Sequence, residues 1–258
     1  MIVENSLIIS NSKLCCDFYR LEVLSAQIAQ EAAPGQFVML KTSKTYDPFL
    51  KRPMCISHID RENGQIACIY AVKGRGTSLL AAMSAGETLE ISGPLGHGWQ
   101  VDAGCKKALL IAGGIGITPL LPLAKQLRDQ GCDCHILWGV ACKDQLFACH
   151  ELAACGCLLI ATEDGSEGET GFVTTILPSQ PAYDMIYCCG PKPLLAAVAA
   201  WTETHDLPCQ ISLEERMGCG LGTCMGCVCQ TQAGEDRHYK RICHDGPVFD
   251  SREVVFDD

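Results

Sequence analysis

The chain has 258 residues, 48% of them apolar and 19% charged, with a formal net charge of −10. That length supports a sizeable core and two or three modest domains. The acidic balance disfavours nucleic acid or an anionic membrane as the main partner.

The N-terminal MIVENSLIIS has neither a basic start nor a long apolar run, so no signal peptide is expected there. There are 19 cysteines, an odd number, scattered and in places adjacent, as at Cys15–Cys16 and Cys188–Cys189. Without a secretory signal this argues for a reducing cytoplasm and against a disulfide framework. Most of these cysteines are expected to be small buried hydrophobes.

Residues 1 to about 100 read as short strands separated by Gly/Pro turns: FYRLEVLS from Phe18, FVMLKT after Pro34-Gly35, QIACIYAV from Gln65 and GETLEIS from Gly86. Their alternation and spacing predict a small N-terminal antiparallel β-barrel. In KRPMCISH, Arg52 precedes Pro53 in a strand-like run. It is placed either to grip a phosphate with two parallel hydrogen bonds or simply to face solvent. In GRGTSLL, Gly74 and Gly76 free the backbone and Thr77 can cap the following helix, TSLLAAM. That turn is either an anion cradle or an ordinary capped helix.

From Lys107 the pattern changes to strand, loop, helix. KKALLIA runs through GGIGITP into LLPLAKQLRDQG, CHILWGVA precedes KDQLFACHELAAC, CLLIATE enters a turn-rich stretch, and MIYCCGP leads into KPLLAAVAAWTETHD. This alternation predicts a parallel α/β sheet over residues 101–210. The most apolar stretch, Ala108–Ala124, carries Gly and Pro at loop positions and reads as strand, turn and helix start, not as a membrane span. Gly113, Gly114 and Gly116 would let a pyrophosphate approach a helix beginning at or after Thr118. The spacing is not GxGxxG, so a plain tight turn remains open. Cys189, Gly190 and Pro191 follow a strand, at the edge where such sheets bind ligands. A thiol there lies against a nicotinamide ring or is merely buried.

The tail, residues 211–258, is Cys-rich and loop-rich. Cys219, Cys224 and Cys227 are spaced C-x4-C-x2-C, with Cys243 sixteen positions on, which is the plant-type [2Fe–2S] spacing. Each iron needs two thiolates, and the sulfurs need backbone N–H donors. Gly218, Gly220, Gly222 and Gly226 are expected to let the backbone wrap closely and adopt positive φ. Zinc is the rival occupant, though its structural sites usually show paired C-x2-C knuckles. Cys229 is a fifth cysteine nearby and reads as a bystander.

The segments RPMC, GRGT, GPLG, GGIGITP, CGPKP and CGLGTC-x2-C…C occur in one order. In that order the whole chain resembles the ferredoxin-NADP reductase superfamily and, within it, the electron-transfer subunits of NAD-dependent dihydroorotate dehydrogenases. The resemblance implies an FAD-binding β-barrel domain (1–100), an NAD-binding α/β domain (101–210) and a small C-terminal [2Fe–2S] domain (211–258). By it, Arg52, Pro53, Met54 and Cys55 match an Arg-Pro-x-Ser flavin segment, with Arg52 on the FAD pyrophosphate and Cys55 where Ser is usual. Ile69, Tyr70 and Ala71 would line the flavin, and Gly76 and Thr77 would cap its phosphates. Gly113, Gly114 and Gly116 would cradle NAD, while Cys189, as the catalytic thiol, Gly190 and Pro191 would approach the nicotinamide. Cys219, Cys224, Cys227 and Cys243 would bind the cluster.

The implied path is linear. An FMN-containing catalytic partner oxidises dihydroorotate, electrons pass singly through the cluster to FAD, and a hydride goes to NAD+ in pyrimidine biosynthesis. No segment remains for a substrate-oxidising TIM barrel of about 250 residues. A hetero-oligomer is therefore expected, and the resemblance implies two catalytic and two electron-transfer subunits. Small subunits of sulfide dehydrogenase or ferredoxin:NADP transhydrogenase share the same motif architecture, and a redox-inactive zinc-binding adaptor is the rival of another class. GVACKDQ offers one Lys and one Asp, which favours NAD over the 2′-phosphate of NADP.

Overall fold

The computed structural model describes residues 1–234 and 236–256. The first half builds β1 (Ile2–Cys15), β2 (Phe18–Leu24), α1 (Ala26–Glu31), β3 (Phe37–Lys41), β4 (Arg52–Cys55), β5 (His58–Asp60), β6 (Gln65–Ala71), α2 (Arg75–Ala81) and β7 (Thr88–Leu95). These strands pair antiparallel in the order β4-β3-β7-β1-β2-β6-β5. The two edge strands, β4 and β5, are separated in sequence only by Ile56 and Ser57. A flat sheet of that many strands would be about 30 Å wide at ~4.8 Å per strand, too far for two residues to cross. The sheet therefore curls into a half-barrel. The crossing is bonded to both sides of the seam, Ile56 N–H to Gln36 O (3.0 Å) and Ser57 N–H to Ala67 O (2.8 Å).

Alternation decides what each strand buries. On β2, Leu21 and Val23 enter the barrel core with Ile8, Ile66, Leu89 and Ile91. β3 is buried on both faces: Val38 and Leu40 point into the barrel, while Phe37 and Met39 join the core shared with the second sheet and the cysteine-rich segment.

The second half builds β8 (Lys107–Gly113), α3 (Leu121–Asp129), β9 (Asp133–Val140), α4 (Cys149–Ala153), β10 (Cys157–Thr162), β11 (Glu169–Thr170), β12 (Met185–Cys189), α5 (Lys192–Thr204), β13 (Cys209–Ser212), β14 (Val228–Ala233), β15 (Asp236–Arg241), α6 (Ile242–Asp245) and β16 (Val248–Asp250). The sheet order is β11-β10-β9-β8-β12-β13-β16, parallel throughout except for the β13–β16 pair. The central strands read as continuous apolar runs, as strands covered on both faces do; Leu109, Leu110, Ile111, Ile186 and Tyr187 are wholly buried. β14 and β15 form a separate hairpin. The chain then returns through β16, which pairs Ser212 with Val248, so the tail ends inside the α/β sheet.

Three elements differ from the sequence reading. β1 is the long central barrel strand, although Glu4, Asn5, Asn11 and Ser12 break its apolar pattern. Asn11 is satisfied by bonds to Leu80 O, Met83 O and the Tyr70 hydroxyl. KDQLFACHELAAC supplies only a 3-10 turn at Lys143–Gln145 and the short α4. The α-helix after β8 begins at Leu121, after Thr118 as expected, but a 3-10 segment, Gly114–Leu120, precedes it. Among the described residues no helix is long and apolar enough to cross a membrane.

Ile111, at the centre of β8, is wholly buried. Ile111→Ala is expected to lower stability by about 2–5 kcal/mol, read as a lower midpoint in chemical unfolding.

Candidate functional site

Three parallel strands end at one level. Cys189 of β12 pairs with Ala112 of β8 on one side and with Ser212 of β13 on the other. Beyond this carboxyl edge lies a cavity of about 730 Å³ between the sheet, the barrel and the cysteine-rich segment. Ala71, Gly113, Gly114, Gly116, Gly190 and Pro191, all singled out in the sequence, line it.

The glycines are there because the turns touch. A Cβ on Gly116 would overlap the Cys189 carbonyl, and one on Gly190 would lie 3.0 Å from Gly113 N. Gly114 takes φ 55°, a left-handed conformation that suits glycine, and its carbonyl accepts a 2.9 Å bond from Trp138 Nε1. The edge thus presents backbone to the cavity, as close approach of a pyrophosphate requires.

The barrel side supplies the flavin candidates. Arg52 to Cys55 form β4, paired to β3 from Leu40↔Arg52 to Phe37↔Cys55. A Cβ on Gly76 would overlap Arg52 Nε, so glycine there lets the guanidinium lie against the first turn of α2. Arg52 Nη1 donates to Leu50 O (2.6 Å). The Thr77 hydroxyl is occupied locally: it accepts from Lys73 N (3.0 Å) and Gly74 N (3.1 Å) and donates to Gly74 O (2.9 Å). Thr77 thus shapes the turn. Along β6, Ala71 reaches the cavity and Ile69 packs in the core of the second sheet. Tyr70 points the other way, into the barrel, 2% exposed with its hydroxyl on Asn11.

Cys189 is wholly buried, and burial pushes its thiol well above the ordinary range, with the charges of Glu214 and Cys55 adding to the effect. Cys55 is raised in the same way, by burial first and then by Glu214. Both are neutral thiols at neutral pH, not nucleophilic thiolates. Glu214, which follows β13, lines the cavity and is exposed to it. Its carboxyl is nevertheless raised by desolvation, offset by Lys73 on the barrel side. The sequence reading missed Glu214. The available signal was its place just after a sheet strand, at the edge where ligands bind.

The cysteine quartet falls into two pairs. Cys219 Sγ accepts from Leu221 N (3.3 Å) and Cys224 N (3.5 Å). Cys227 Sγ accepts from Cys243 N (3.4 Å), and Cys243 Sγ from Gly222 N (3.1 Å). Burial raises the Cys219 thiol, but these amide bonds together outweigh it and bring it down to about 6. Among the described residues no three His, Cys, Asp or Glu side chains gather round a single ion. Two thiol pairs, each with backbone N–H donors, suit two irons. Positive φ occurs at Gly220 and Gly222 and also at Met225 (56°), but not at Gly218 or Gly226. Gly218 instead leaves room for Cys224 Sγ, which would lie 3.2 Å from a Cβ there, while at Gly226 the same sulfur would be in ordinary contact at 3.5 Å. Cys229 stands apart: its Sγ donates to Lys240 O (3.6 Å), and burial lifts it to about 11.

The chain is similar to known proteins over nearly its whole length. Residues 214–255 match the iron-sulfur cluster binding domain of dihydroorotate dehydrogenase B, and residues 110–200 match the oxidoreductase NAD-binding domain. The "Dihydroorotate dehydrogenase B (NAD(+)), electron transfer subunit" of Geobacillus thermodenitrificans is 42% identical, with 98% of each chain covered. Its counterpart in Bacillus caldolyticus is 41% identical over 99% of this chain and 100% of that one. The chain belongs to this family of electron transfer subunits. Among solved structures, a chain of NADH-dependent reduced ferredoxin-NADP oxidoreductase superposes with TM-score 0.86 and 27% identity, over 97% of this chain and 90% of that one. The cytochrome b5 reductase domain of Ulva prolifera nitrate reductase shares the fold, with TM-score 0.63, 16% identity and coverage of 76% and 89%. The donor sets fit the family's cofactors, a [2Fe–2S] cluster, FAD and NAD.

Three outcomes are expected. Gly116→Ala forces the two strand-end turns apart and raises the KM for NADH at least ~10-fold, a loss of about 1.4 kcal/mol, seen in dye-linked NADH oxidation. Cys227→Ser loses the brown cluster absorbance while Cys229→Ser keeps it. Glu214 has a raised pKa in the folded chain, so its contribution to stability is full below the unfolded value of ~4.3 and is lost as pH rises through the folded value. Glu214→Gln is therefore expected to melt higher than the parent at neutral pH, with the gap closing towards pH 4, in paired thermal melts.

Proposed function

We propose that this chain takes electrons from an FMN-containing catalytic subunit that oxidises dihydroorotate and delivers them to NAD+, in a cytoplasmic heterotetramer of two subunits of each kind. The observation that carries this reading is one continuous site. The flavin segment on β4 pairs with β3, the cysteine quartet packs against β3, and the cavity at the sheet edge is lined jointly by the barrel, the α/β sheet and the cysteine-rich segment.

Bound FAD supplies the exchange between single electrons and hydride pairs. A bound cluster carries one electron at a time. The protein's own work is holding and shielding. Arg52 and the α2 turn hold the flavin pyrophosphate. Gly113, Gly114 and Gly116 hold the dinucleotide, with Gly190 and Pro191 bordering the nicotinamide. Cys189 packs beneath as a neutral thiol and itself adds no negative charge against hydride arrival. Glu214, reachable from the cavity and with its carboxyl raised by desolvation, is a group there that can hold or release a proton. Cys219, Cys224, Cys227 and Cys243 hold the cluster, within the domain division 1–100, 101–210 and 211–258.

The partner face follows from exposure. Cys224 is exposed, and Leu221 and Met225 beside it are 45% and 52% exposed. Gly220 fits against Met39, so this loop rests on the outside of β3, and the segment after β3 exposes Tyr46, Phe49 and Leu50. An apolar rim around the quartet suits a dry contact across which electrons pass.

The likeness to NADH-dependent reduced ferredoxin-NADP oxidoreductase favours a second reading, a subunit of an NAD(P)H:ferredoxin oxidoreductase. Anaerobic co-purification from the native source separates the two. The first reading expects a partner with FMN and orotate-linked NADH formation. Ferredoxin-linked turnover without it supports the second, and dihydroorotate oxidation by this chain unaided overturns the first. Leu221→Glu with Met225→Glu is expected to weaken partner binding at least ~10-fold, or about 1.4 kcal/mol, in a titration of the two subunits, leaving dye-linked NADH oxidation intact.

A further inference from the structure

Gly222 is held from two sides. Its N–H donates to Cys243 Sγ (3.1 Å), and its carbonyl accepts from Arg241 Nη1 (3.1 Å). Its φ is 78°, and a Cβ there would lie 2.7 Å from the His244 Cβ. The peptide aimed at the sulfur is therefore gripped by the residues flanking that same cysteine.

Arg241 is itself fixed. Its Nε donates to Asp245 Oδ2 (2.9 Å) and its Nη2 to Asp245 Oδ1 (3.0 Å), while its own backbone N–H donates to Asp245 Oδ2 (2.8 Å). His244 Nδ1 lies 2.8 Å from Asp245 Oδ1 and 3.3 Å from Arg241 Nη2, so the imidazole closes onto the same pair. The fork is bidentate and planar, the geometry in which arginine orients best. Arg241 ends β15, Asp245 ends α6, and Cys243 lies between them.

We propose that the Arg241–Asp245 pair is a positioning device for the iron–sulfur cluster. It aims the Gly222 N–H at Cys243, and its two charges cancel each other's field there. The proposal rests on Cys243 being a cluster ligand. The physical reason is sign. A thiolate-held cluster becomes more negative when it accepts an electron, so a nearby positive charge favours the reduced state and a nearby negative charge the oxidised state. Hydrogen bonds to the sulfurs act in the same sense as the positive charge. Each partner alone would bias the cluster, in opposite directions; together they leave the amide bond as the main influence. Both side chains are partly exposed, 31% and 25%, so solvent and salt weaken the single-charge effects without changing their sign.

The test is an anaerobic redox titration of the cluster in the complete chain purified with its cofactors, followed by visible absorbance and electron paramagnetic resonance. Arg241→Gln leaves Asp245 unbalanced and is expected to move the midpoint potential down. Asp245→Asn leaves Arg241 unbalanced and is expected to move it up. The double variant is expected to fall between the two, and Arg241→Lys, which keeps the charge but loses the fork, to fall between Arg241→Gln and the parent. Arg241→Gln and Asp245→Asn shifting in the same direction, or not at all, overturns the proposal. Where a variant arrives without iron, the melting temperature of the metal-free chain decides. Iron lost at unchanged melting temperature supports the clamp; iron lost with a lowered melting temperature overturns it, because the pair would then merely fold the segment. Cys243→Ser checks the underlying assignment separately. Unchanged iron in that variant refutes the ligand role, whatever Arg241 and Asp245 do to the potential.

Discussion

The site depends on β3 being buried on both faces. Val38 and Leu40 anchor it in the barrel, and Phe37 and Met39 anchor everything else to it. Gly220 of the cysteine loop fits against Met39, and Gly96, after the last barrel strand, packs on Phe37 and Pro247. His97 N–H donates to Gly246 O (2.7 Å), joining the exit of the barrel to the exit of the cysteine segment. Neighbouring β4 carries Arg52 and Cys55, so the flavin segment and the cluster loop share one strand as their floor. Burying four consecutive side chains excludes water from both sides at once, at roughly 25 cal/mol per Å² of apolar surface, and fixes three functional surfaces relative to one another.

The chemistry of the cavity follows from what is desolvated. Cys189 and Cys55 are kept protonated by burial, and the Glu214 carboxyl, whose charge adds to both shifts, is pushed the same way but remains in touch with the cavity. Burial thus works against charge on all three groups. Within the quartet the balance differs by position: at Cys219 hydrogen bonds outweigh burial and favour the thiolate, whereas at Cys243 burial wins and raises the thiol to about 12 although Gly222 N–H donates to it.

Much of this was legible because it is local. The cysteine spacing, the glycine turns at Gly113–Gly116 and the strand before Cys189 are short motifs whose geometry needs only neighbours in sequence. What escaped depends on distant partners. β1 hid because its polar residues are satisfied by α2 and Tyr70, contacts that no periodicity reveals. Tyr70 turns into the barrel because strand parity assigns Ile69 and Ala71 to the opposite side, and parity is set by the register with β2. Met225 takes a left-handed turn that was expected of its neighbour Gly226, and no motif marks a methionine for it. Glu214 carried no motif at all; its meaning comes from where the sheet ends.

The return of β16 has a consequence for how the iron–sulfur segment behaves. Ser212 and Val248 are cross-strand neighbours, so everything between them is topologically the loop of one hairpin at the edge of the sheet. Closing a loop of this length costs little more than closing a short one, since the entropy grows only with the logarithm of its size. The cassette is covalently joined to the sheet only at this edge, while Cys227, Ile242 and Cys243 pack into the core it shares with β3. Because both of its ends are stitched into the same sheet, it cannot swing like a tethered carrier: this subunit is built as a fixed wire, not a shuttle.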